Sequence, residues 1–153
     1  MRAMKTVIQR VSRAEVRVDG ARVGAVGRGV LALTAVERGD ALADVQATAR
    51  KLAGLRIFPG RTPMDETLLD IGGGVLLISQ FTIAGDLRKG RRPSFNAAED
   101  PARARELYEA LATALRGEGL TVETGVFAAH MQVELVNDGP VTLILEVRGG
   151  KVC

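Results

Sequence analysis

Residues 76–95 hold the side chains of this chain that are best suited to chemistry. A run of apolar strand formers passes directly into four mostly polar residues, Ser79, Gln80, Phe81 and Thr82. Where a strand leaves its sheet, backbone N–H groups lose their ladder partners and can donate hydrogen bonds to a ligand carbonyl. The segment therefore indicates a binding or catalytic site at a strand end. The alternative is an ordinary loop whose polar side chains satisfy only the loop itself.

A cluster of cations follows this strand end. Its members are Arg88, Lys89, Arg91 and Arg92. Four cations within five residues suit a chain of phosphates better than a single surface charge, although a solvated basic loop would have the same composition. Together with the strand end, the cluster predicts a pocket with a basic rim. That geometry is needed where the reactive group sits at the tip of a nucleic acid.

A second informative segment, residues 136–142, lies between two predicted strands. Its Gly139-Pro140 pair is unusual, because an X-Pro bond is the one kind of peptide bond that adopts the cis form at modest cost. Glycine adds freedom to hold uncommon φ values, so the pair could present rigid, exposed carbonyls at a loop tip. Bare backbone of this kind could reject one stereoisomer on shape alone. Most Asn-Asp-Gly-Pro segments, however, are ordinary hairpin loops.

Composition excludes several common chemistries. His130 is the single histidine and Cys153 the single cysteine, so a metal site with several such ligands is not expected. A Ser-His-Asp triad through His130 lacks a marked nucleophile elbow, and we expect an exposed or partly buried strand residue instead. The glycine-rich stretches precede strands rather than helices, which argues against a nucleotide cofactor. We predict neither a metal nor a cofactor.

Bulk properties indicate one folded domain over residues 1–153. The chain is 46% hydrophobic and 25% charged, with a net charge of +3, no Trp and one Tyr. So few aromatic residues disfavour a stacking surface for single-stranded nucleic acid. A single cysteine points to a reducing compartment, and the sequence has neither a signal-peptide pattern nor an apolar run of membrane-spanning length. We therefore expect a cytoplasmic protein without a membrane partner.

Two helices and several strands are predicted to position the candidate residues. Apolar spacing predicts helices from Asp40 to Gly54 and from Asp100 to Gly117, each with an aspartate as N-cap and a glycine as stop. An opening hairpin should turn at Asp19-Gly20, a favoured type I′ pair. The remaining strands are predicted at residues 29–36, 55–58, 75–83, 121–123, 131–137 and 141–147.

The predicted order is β-β-β-α-β-β-α-β-β-β, which indicates a mixed α/β fold. We expect a compact, β-rich single domain of mixed and antiparallel sheets with two main helices, in which the C-terminal strands pair antiparallel. A doubly wound sheet fits poorly, because the helices are too few and the hairpins too many.

Three collinear motifs resemble those of the D-aminoacyl-tRNA deacylases: SQFT, RKGRRPSF and NDGPVT. The segments VIQRVSRAEVRVDG, LRIF and VETGVFAAHMQVELVNDGPVTLILE match this family too, so the resemblance covers nearly the whole chain apart from residues 149–153. It implies the deacylase fold, a homodimer, and hydrolysis of the ester between a D-amino acid and the terminal adenosine of tRNA. The implied partner is the 3′ end of D-aminoacyl-tRNA, not DNA.

The resemblance also implies how handedness is read. The Gly139-Pro140 bond would be cis, and the loop would reach into the pocket of the partner subunit. Its carbonyls would hold the substrate's α-amino group, while the side chain of an L-amino acid would be driven against the Gly-Pro wall. Glycine has no side chain and should pass, so removal of glycine misplaced on alanine tRNA is an expected second activity.

By the same resemblance, Ser79, Gln80, Phe81 and Thr82 would hold the ester and the terminal adenosine. Thr82 matches a family position once viewed as the nucleophile, yet no general base is evident beside it. We expect instead that the N–H groups of Phe81 and Thr82 stabilise an oxyanion while the ribose 2′-hydroxyl helps to activate water. Phe127 and Met131 match pocket positions, with a core role as the alternative. His130 stands where the family usually has an acidic residue.

Two other functions fit parts of the sequence. A non-catalytic tRNA-binding module would keep the basic loop and bind tRNA in a salt-sensitive manner without cleaving the ester. A small-molecule hydrolase would keep the strand-end site but tolerate neutralisation of the four cations. A deacylase needs both segments, so charge neutralisation and ester cleavage together distinguish the three functions.

Overall fold

The computed structural model describes residues 3–153, and its first three strands form an antiparallel unit. Strand β1 (Met4–Val18) is followed by β2 (Ala21–Val26) and β3 (Gly29–Ala35), and both pair with β1 in antiparallel fashion. Asp19 and Gly20 join β1 to β2 with φ values of 49° and 80°. Positive φ at both central residues is typical of a type I′ turn, so the predicted opening hairpin is confirmed.

The two helices connect parallel strands. Helix α1 (Leu42–Gly54) joins β3 to β4 (Gly74–Ser79), and helix α2 (Pro101–Gly117) joins β4 to β5 (Thr121–Thr124). Both strand pairs are parallel. The expectation that the C-terminal strands pair antiparallel is therefore wrong for β5, because a helical crossover returns the chain in the same direction.

The C-terminal part of the chain forms one long strand rather than two. Strand β6 (Gln132–Arg148) runs antiparallel to β1 on both sides of the Gly-Pro pair, and a short β7 (Lys151–Val152) pairs with its end. Its register jumps from Gln9↔Thr142 to Val11↔Asn137, which leaves residues 138–141 as a bulge. The hairpin-loop interpretation is wrong, because the 15-residue β1 is long enough to pair with both halves of β6.

The predicted helix bounds hold better than the predicted caps. Helix α2 begins at Pro101 after Asp100 and ends at Gly117, as predicted. Helix α1 begins at Leu42, and the Asp40 carboxylate accepts the Glu37 N–H at 2.7 Å instead of capping the helix. The predicted strand at residues 55–58 is reduced to an isolated bridge between Phe58 and Glu66.

The seven strands found within residues 3–153 form one mixed sheet in the order β5-β4-β3-β1-β6-β7, with β2 beside β1. Both helices cover one face, where the larger hydrophobic core lies. A smaller core fills the opposite face between β1, β3, β4 and β6. The sheet curls so far that a Cβ on Gly24 of β2 would lie 2.6 Å from the Thr124 carbonyl oxygen of β5. The result is a half-barrel of the mixed α/β class, as predicted.

No helix within residues 3–153 is long and apolar enough to cross a membrane.

Candidate active site

A cavity of about 810 Å³ opens where β3 and β4 end. Because these two strands are parallel neighbours, their carboxyl ends meet at one edge of the sheet, the usual place for a ligand in an α/β fold. The Gln80 N–H donates to the Thr34 carbonyl oxygen at 2.8 Å and ties the segment after β4 to the end of β3. The four predicted catalytic residues, Ser79, Gln80, Phe81 and Thr82, all line this cavity.

The chain turns immediately after β4 into a single 3₁₀ turn, Phe81–Ala84. Its first hydrogen bond is donated by the Ile83 N–H to the Gln80 carbonyl oxygen at 3.2 Å. The N–H groups that precede the first bond of a helix have no acceptor inside it, and here these belong to Phe81 and Thr82. They are therefore suited to an anionic or partly charged oxygen, and the expected role in stabilising an oxyanion stays a prediction.

The Thr82 hydroxyl has a donor beside it rather than a base. The Gln80 side-chain amide nitrogen donates to Thr82 Oγ1 at 3.2 Å. Phe81 is 57% exposed and packs edge-on against Phe95, with ring centroids 5.2 Å apart. An amide donor cannot remove a proton from the hydroxyl, which weakens any role of Thr82 as nucleophile.

Phe127 and Met131 form the apolar wall of the cavity. Both are half-buried. Phe127 also packs against the larger core and Met131 against the smaller one, so each residue contacts both the cavity and a core. The ring centroids of Tyr108 and Phe127 are 6.0 Å apart, and the Tyr108 hydroxyl donates to the Leu77 carbonyl oxygen at 2.7 Å. Burial raises the pKa of Tyr108 to about 12, so this donor stays protonated. A Cβ at Gly125 would lie 2.6 Å from Met131 Sδ, and glycine leaves room for this side chain.

Sequence reasoning missed another part of the cavity lining. It includes Arg38, Phe95, Glu99 and Asp100. The Arg38 N–H donates to the Ala97 carbonyl oxygen at 2.9 Å, which fixes the turn after β3 to the segment before α2. Recognising β3 and β4 as parallel neighbours would have placed Arg38 near this site, because residues that follow β3 then lie near those that follow β4.

His130 also lines the cavity, where it is exposed and precedes β6 rather than lying in a strand. The structure therefore corrects the strand placement that the sequence suggested, while the predicted exposure is confirmed. Within residues 3–153, no three His, Cys, Asp or Glu side chains come together in a way that could hold a metal ion.

The basic loop lies outside the cavity lining that the described residues form. Arg88, Lys89, Arg91 and Arg92 are all exposed. Arg88 is held by Asp86, since its Nε and Nη2 donate to the two carboxylate oxygens at 2.9 and 2.8 Å. The Arg88 side chain lowers the pKa of Asp86 to about 2. One of the four predicted phosphate contacts therefore already has an anionic partner.

Gly139 and Pro140 occupy the bulge of β6, and the peptide bond between them is cis. Both residues are exposed, and neither is among the described residues that line the cavity of the same chain. The buried Arg10 anchors the bulge, because its Nε donates to the Asp138 carbonyl oxygen at 3.1 Å. Its Nη1 donates to the Ile57 carbonyl oxygen at 2.7 Å. Gly139 has a φ of +126°, a value that disfavours any residue with a side chain.

Comparison with known proteins places the chain in a family. The family model described as D-Tyr-tRNA(Tyr) deacylase matches residues 7–146. The chain belongs to this deacylase family. A D-aminoacyl-tRNA deacylase of Anaeromyxobacter dehalogenans is 58% identical over 146 residues, covering 95% of this chain and 98% of the relative. Another of Koribacter versatilis is 54% identical over 144 residues, covering 94% and 97%. The resemblance seen in the sequence motifs is thus confirmed.

Two solved structures share the deacylase fold found here. The c-Myc DNA Unwinding Element Binding Protein superposes with a TM-score of 0.88 at 34% identity, covering 95% of this chain and 99% of that chain. A probable eukaryotic D-amino acid tRNA deacylase gives a TM-score of 0.82 at 16% identity, covering 95% and 100%. The half-barrel with its two helices is therefore the architecture of this family.

Proposed function

We propose that this protein hydrolyses the ester of D-aminoacyl-tRNA and releases the free D-amino acid and tRNA. Family membership and the names of close relatives support this reaction. The observation that carries it is the 3₁₀ turn Phe81–Ala84, whose first two residues line a cavity of about 810 Å³ at the ends of two parallel strands. A cavity of this size can enclose an amino acid together with a nucleoside.

In the proposed reaction, water attacks the ester carbonyl carbon and the bond to the ribose oxygen breaks. The N–H groups of Phe81 and Thr82 would stabilise the negative charge that develops on the carbonyl oxygen. The ribose 2′-hydroxyl would help to remove the proton from water, and a proton passes to the leaving ribose oxygen. The amide donor beside Thr82 Oγ1 supports this substrate-assisted route over attack by the threonine.

Handedness would be read by Gly139 and Pro140 of the partner subunit in a homodimer. Their exposure, their anchoring through Arg10 and their absence from the cavity lining of their own chain support a role in a second copy. In that arrangement the carbonyls of the bulge would hold the α-amino group, and an L side chain would meet the Gly-Pro backbone. Glycine on alanine tRNA would be accepted, because it has no side chain to exclude.

The basic loop would bind the phosphates of the tRNA acceptor end. The exposure of Lys89, Arg91 and Arg92 supports this role, since exposed cations are free to contact a phosphate backbone. Aminoacyl-tRNA is made and used in the cytoplasm, so the proposed reaction would take place there.

The deciding experiment is incubation of the protein with D-Tyr-tRNA and L-Tyr-tRNA side by side. We expect rapid release of D-Tyr and no release of L-Tyr above the spontaneous rate. Salt-sensitive binding of both tRNAs without release would instead support a tRNA-binding module. Cleavage of simple D-amino acid esters that is indifferent to the tRNA would support a small-molecule hydrolase. Equal release of both amino acids would refute the stereochemical role of Gly139 and Pro140.

A further inference from the structure

Arg38 lies in the cavity wall directly after β3. Its Nε donates to the Asn96 carbonyl oxygen at 3.0 Å, and its backbone N–H donates to the Ala97 carbonyl oxygen at 2.9 Å. The first bond holds the guanidinium and the second holds the backbone, and neither neutralises the charge. Within residues 3–153, no carboxylate forms a salt bridge with Arg38. Its two terminal nitrogens therefore remain as charged donors.

Among the lysines and arginines of residues 3–153, Arg38 alone lines the cavity that holds residues 79–82. The four cations of the basic loop lie outside this lining, and Arg88 is engaged with Asp86. Two acidic residues, Glu99 and Asp100, share the wall with Arg38. One oxygen of Glu99 accepts the Asp100 N–H at 2.8 Å. Among the described lysines and arginines, Arg38 is thus the cationic donor of this cavity, and it lies near two acidic residues.

We propose that Arg38 binds the phosphate that joins the terminal adenosine of the tRNA to the preceding nucleotide. This inference rests on the proposed function, which puts the ester at residues 79–82. The nearest anion of that substrate is the 5′-phosphate of the same adenosine. A guanidinium matches a phosphate with two parallel N–H···O bonds, and a lysine or a neutral donor matches it less well.

Two regions of the protein would then contact different phosphates of the tRNA. Arg38 contacts the 5′-phosphate of the terminal adenosine, and the loop at residues 88–92 contacts phosphates further along the acceptor end. Arg38 lines the cavity that holds residues 79–82, whereas the loop at residues 88–92 lies outside the lining that the described residues form. The cavity should therefore prefer a nucleotide to a nucleoside even when the rest of the tRNA is absent.

The test measures dissociation constants for adenosine and for the methyl ester of 5′-AMP, whose single negative charge matches that of a phosphodiester. Wild-type protein should bind the methyl ester about tenfold more tightly, as expected for a charge-assisted hydrogen bond. Arg38→Gln keeps a donor for Asn96 and should lose this preference, whereas Arg38→Lys should keep part of it. Arg91→Gln is the matched control and should retain the full preference. With D-Tyr-tRNA, Arg38→Gln should raise KM and leave kcat unchanged.

Three outcomes would overturn the assignment. The first is wild-type protein that binds both ligands equally. The second is an Arg38→Gln variant that weakens both ligands equally or neither. The third is a preference lost in Arg91→Gln and kept in Arg38→Gln, which would move the phosphate to the basic loop. Because the binding measurements need no turnover, they stand apart from the D-Tyr-tRNA assay, whose failure would refute the deacylase activity itself.

Discussion

Residues 79–82 lie where two buried parallel strands end, whereas Gly139 and Pro140 lie on an exposed bulge of β6. The first segment is tied to its neighbour strand by the bond from the Gln80 N–H to the Thr34 carbonyl oxygen. The second is anchored by the hydrogen bond from the Arg10 guanidinium to the Asp138 carbonyl oxygen. The first lines the cavity of its own chain and the second does not. On the proposed function, ester hydrolysis and chiral selection therefore belong to separate surfaces, which only a second copy brings together.

This contrast is useful because the two regions should fail in different ways. Damage to the cavity should alter binding or turnover of any substrate that enters it. Damage to the bulge should alter which hand of amino acid is accepted, and it should do so through the partner subunit. The predictions below separate these two kinds of failure, from the largest expected effect to the smallest.

The largest effect is expected from Gly139→Ala. At a φ of +126°, which a residue with a side chain rarely adopts, a Cβ would lie 2.9 Å from Val141 Cγ2 and 3.0 Å from Arg10 Nη2, so the bulge or these side chains must shift. Displacement of a substrate-positioning group by about 1 Å can cost about 100-fold in rate, and we expect a loss of that size in kcat/KM for D-Tyr-tRNA. The measurement is the initial rate of D-Tyr release by the purified variant.

Gly27→Ala is the matched control, because Gly27 is exposed and a Cβ there would meet no atom within 4 Å. It should leave activity unchanged. A mixture of Gly139→Ala subunits with subunits carrying a defective cavity sharpens the comparison. If the bulge serves the partner, such heterodimers keep one intact site and regain part of the activity. A Gly139→Ala protein with normal activity and normal selection against L-Tyr would contradict the proposed role of the bulge.

The second prediction concerns the stability of the turn between β3 and α1. Asp40 is 7% exposed. Burial raises its pKa to about 6, and the nearby carboxylates of Asp44, Glu37 and Glu99 contribute to this rise. The hydrogen bond from the Glu37 N–H acts in the opposite direction and lowers the pKa. Because the folded state holds this proton more tightly than the unfolded chain, stability should fall as pH rises from about 4 to about 6 and then level off. Asp40→Asn should add about 1–3 kcal/mol to the free energy of unfolding above pH 7.

Urea unfolding at pH 4.5 and pH 8 measures this effect. The gain from Asp40→Asn should be small at the lower pH and full at the higher one, since an amide can still accept the Glu37 N–H. Glu118→Gln is the control, because that carboxylate is exposed after α2. A gain from Asp40→Asn that is equal at both pH values would rule out proton linkage at this residue.

The third prediction separates tRNA binding from chemistry. Replacing Lys89, Arg91 and Arg92 together by glutamine should weaken tRNA binding about tenfold, while kcat stays the same. The slope of log K against the logarithm of the salt concentration should become smaller by about 2. Arg88→Gln should change much less, because Arg88 already pairs with Asp86. Filter-binding at several salt concentrations gives both quantities. Unchanged affinity in the triple variant would favour a hydrolase that does not use the RNA backbone.

How much of this could be predicted from the sequence differs between the two regions. Residues 79–82 were recognisable because an apolar strand runs into polar residues, but the predicted strand at 75–83 is wrong at its end, since β4 ends at Ser79 and Phe81–Ala84 form a 3₁₀ turn. Helix α2 was predicted to the residue, since Pro101 and Gly117 mark its ends. Local patterns of this kind report contacts within a few residues, and those contacts also form in the folded chain.

The parts that could not be predicted depend on distant pairing. Nothing local to Gly139 tells that both flanking halves pair with β1, more than 120 residues away, so a hairpin was the natural interpretation. Arg38 was missed for a related reason. It follows β3, and its place in the cavity that also holds residues 79–82 depends on the parallel pairing of β3 with β4. Parallel register is carried by long-range contacts and leaves no mark in a short window of sequence.

The smallest effect is expected from Thr82→Ala, which tests what the cavity itself contributes. If the Thr82 N–H stabilises the oxyanion, removal of the hydroxyl costs only the hydrogen bond from the Gln80 amide, about 1 kcal/mol or less for this exposed pair. We expect D-Tyr-tRNA cleavage within about fivefold of wild type, with selection against L-Tyr-tRNA intact because the bulge is untouched. Single-turnover measurements separate the chemical step from product release. A nucleophilic hydroxyl would instead make the loss several orders of magnitude while tRNA still binds, and that result would move the chemistry from the backbone to the side chain.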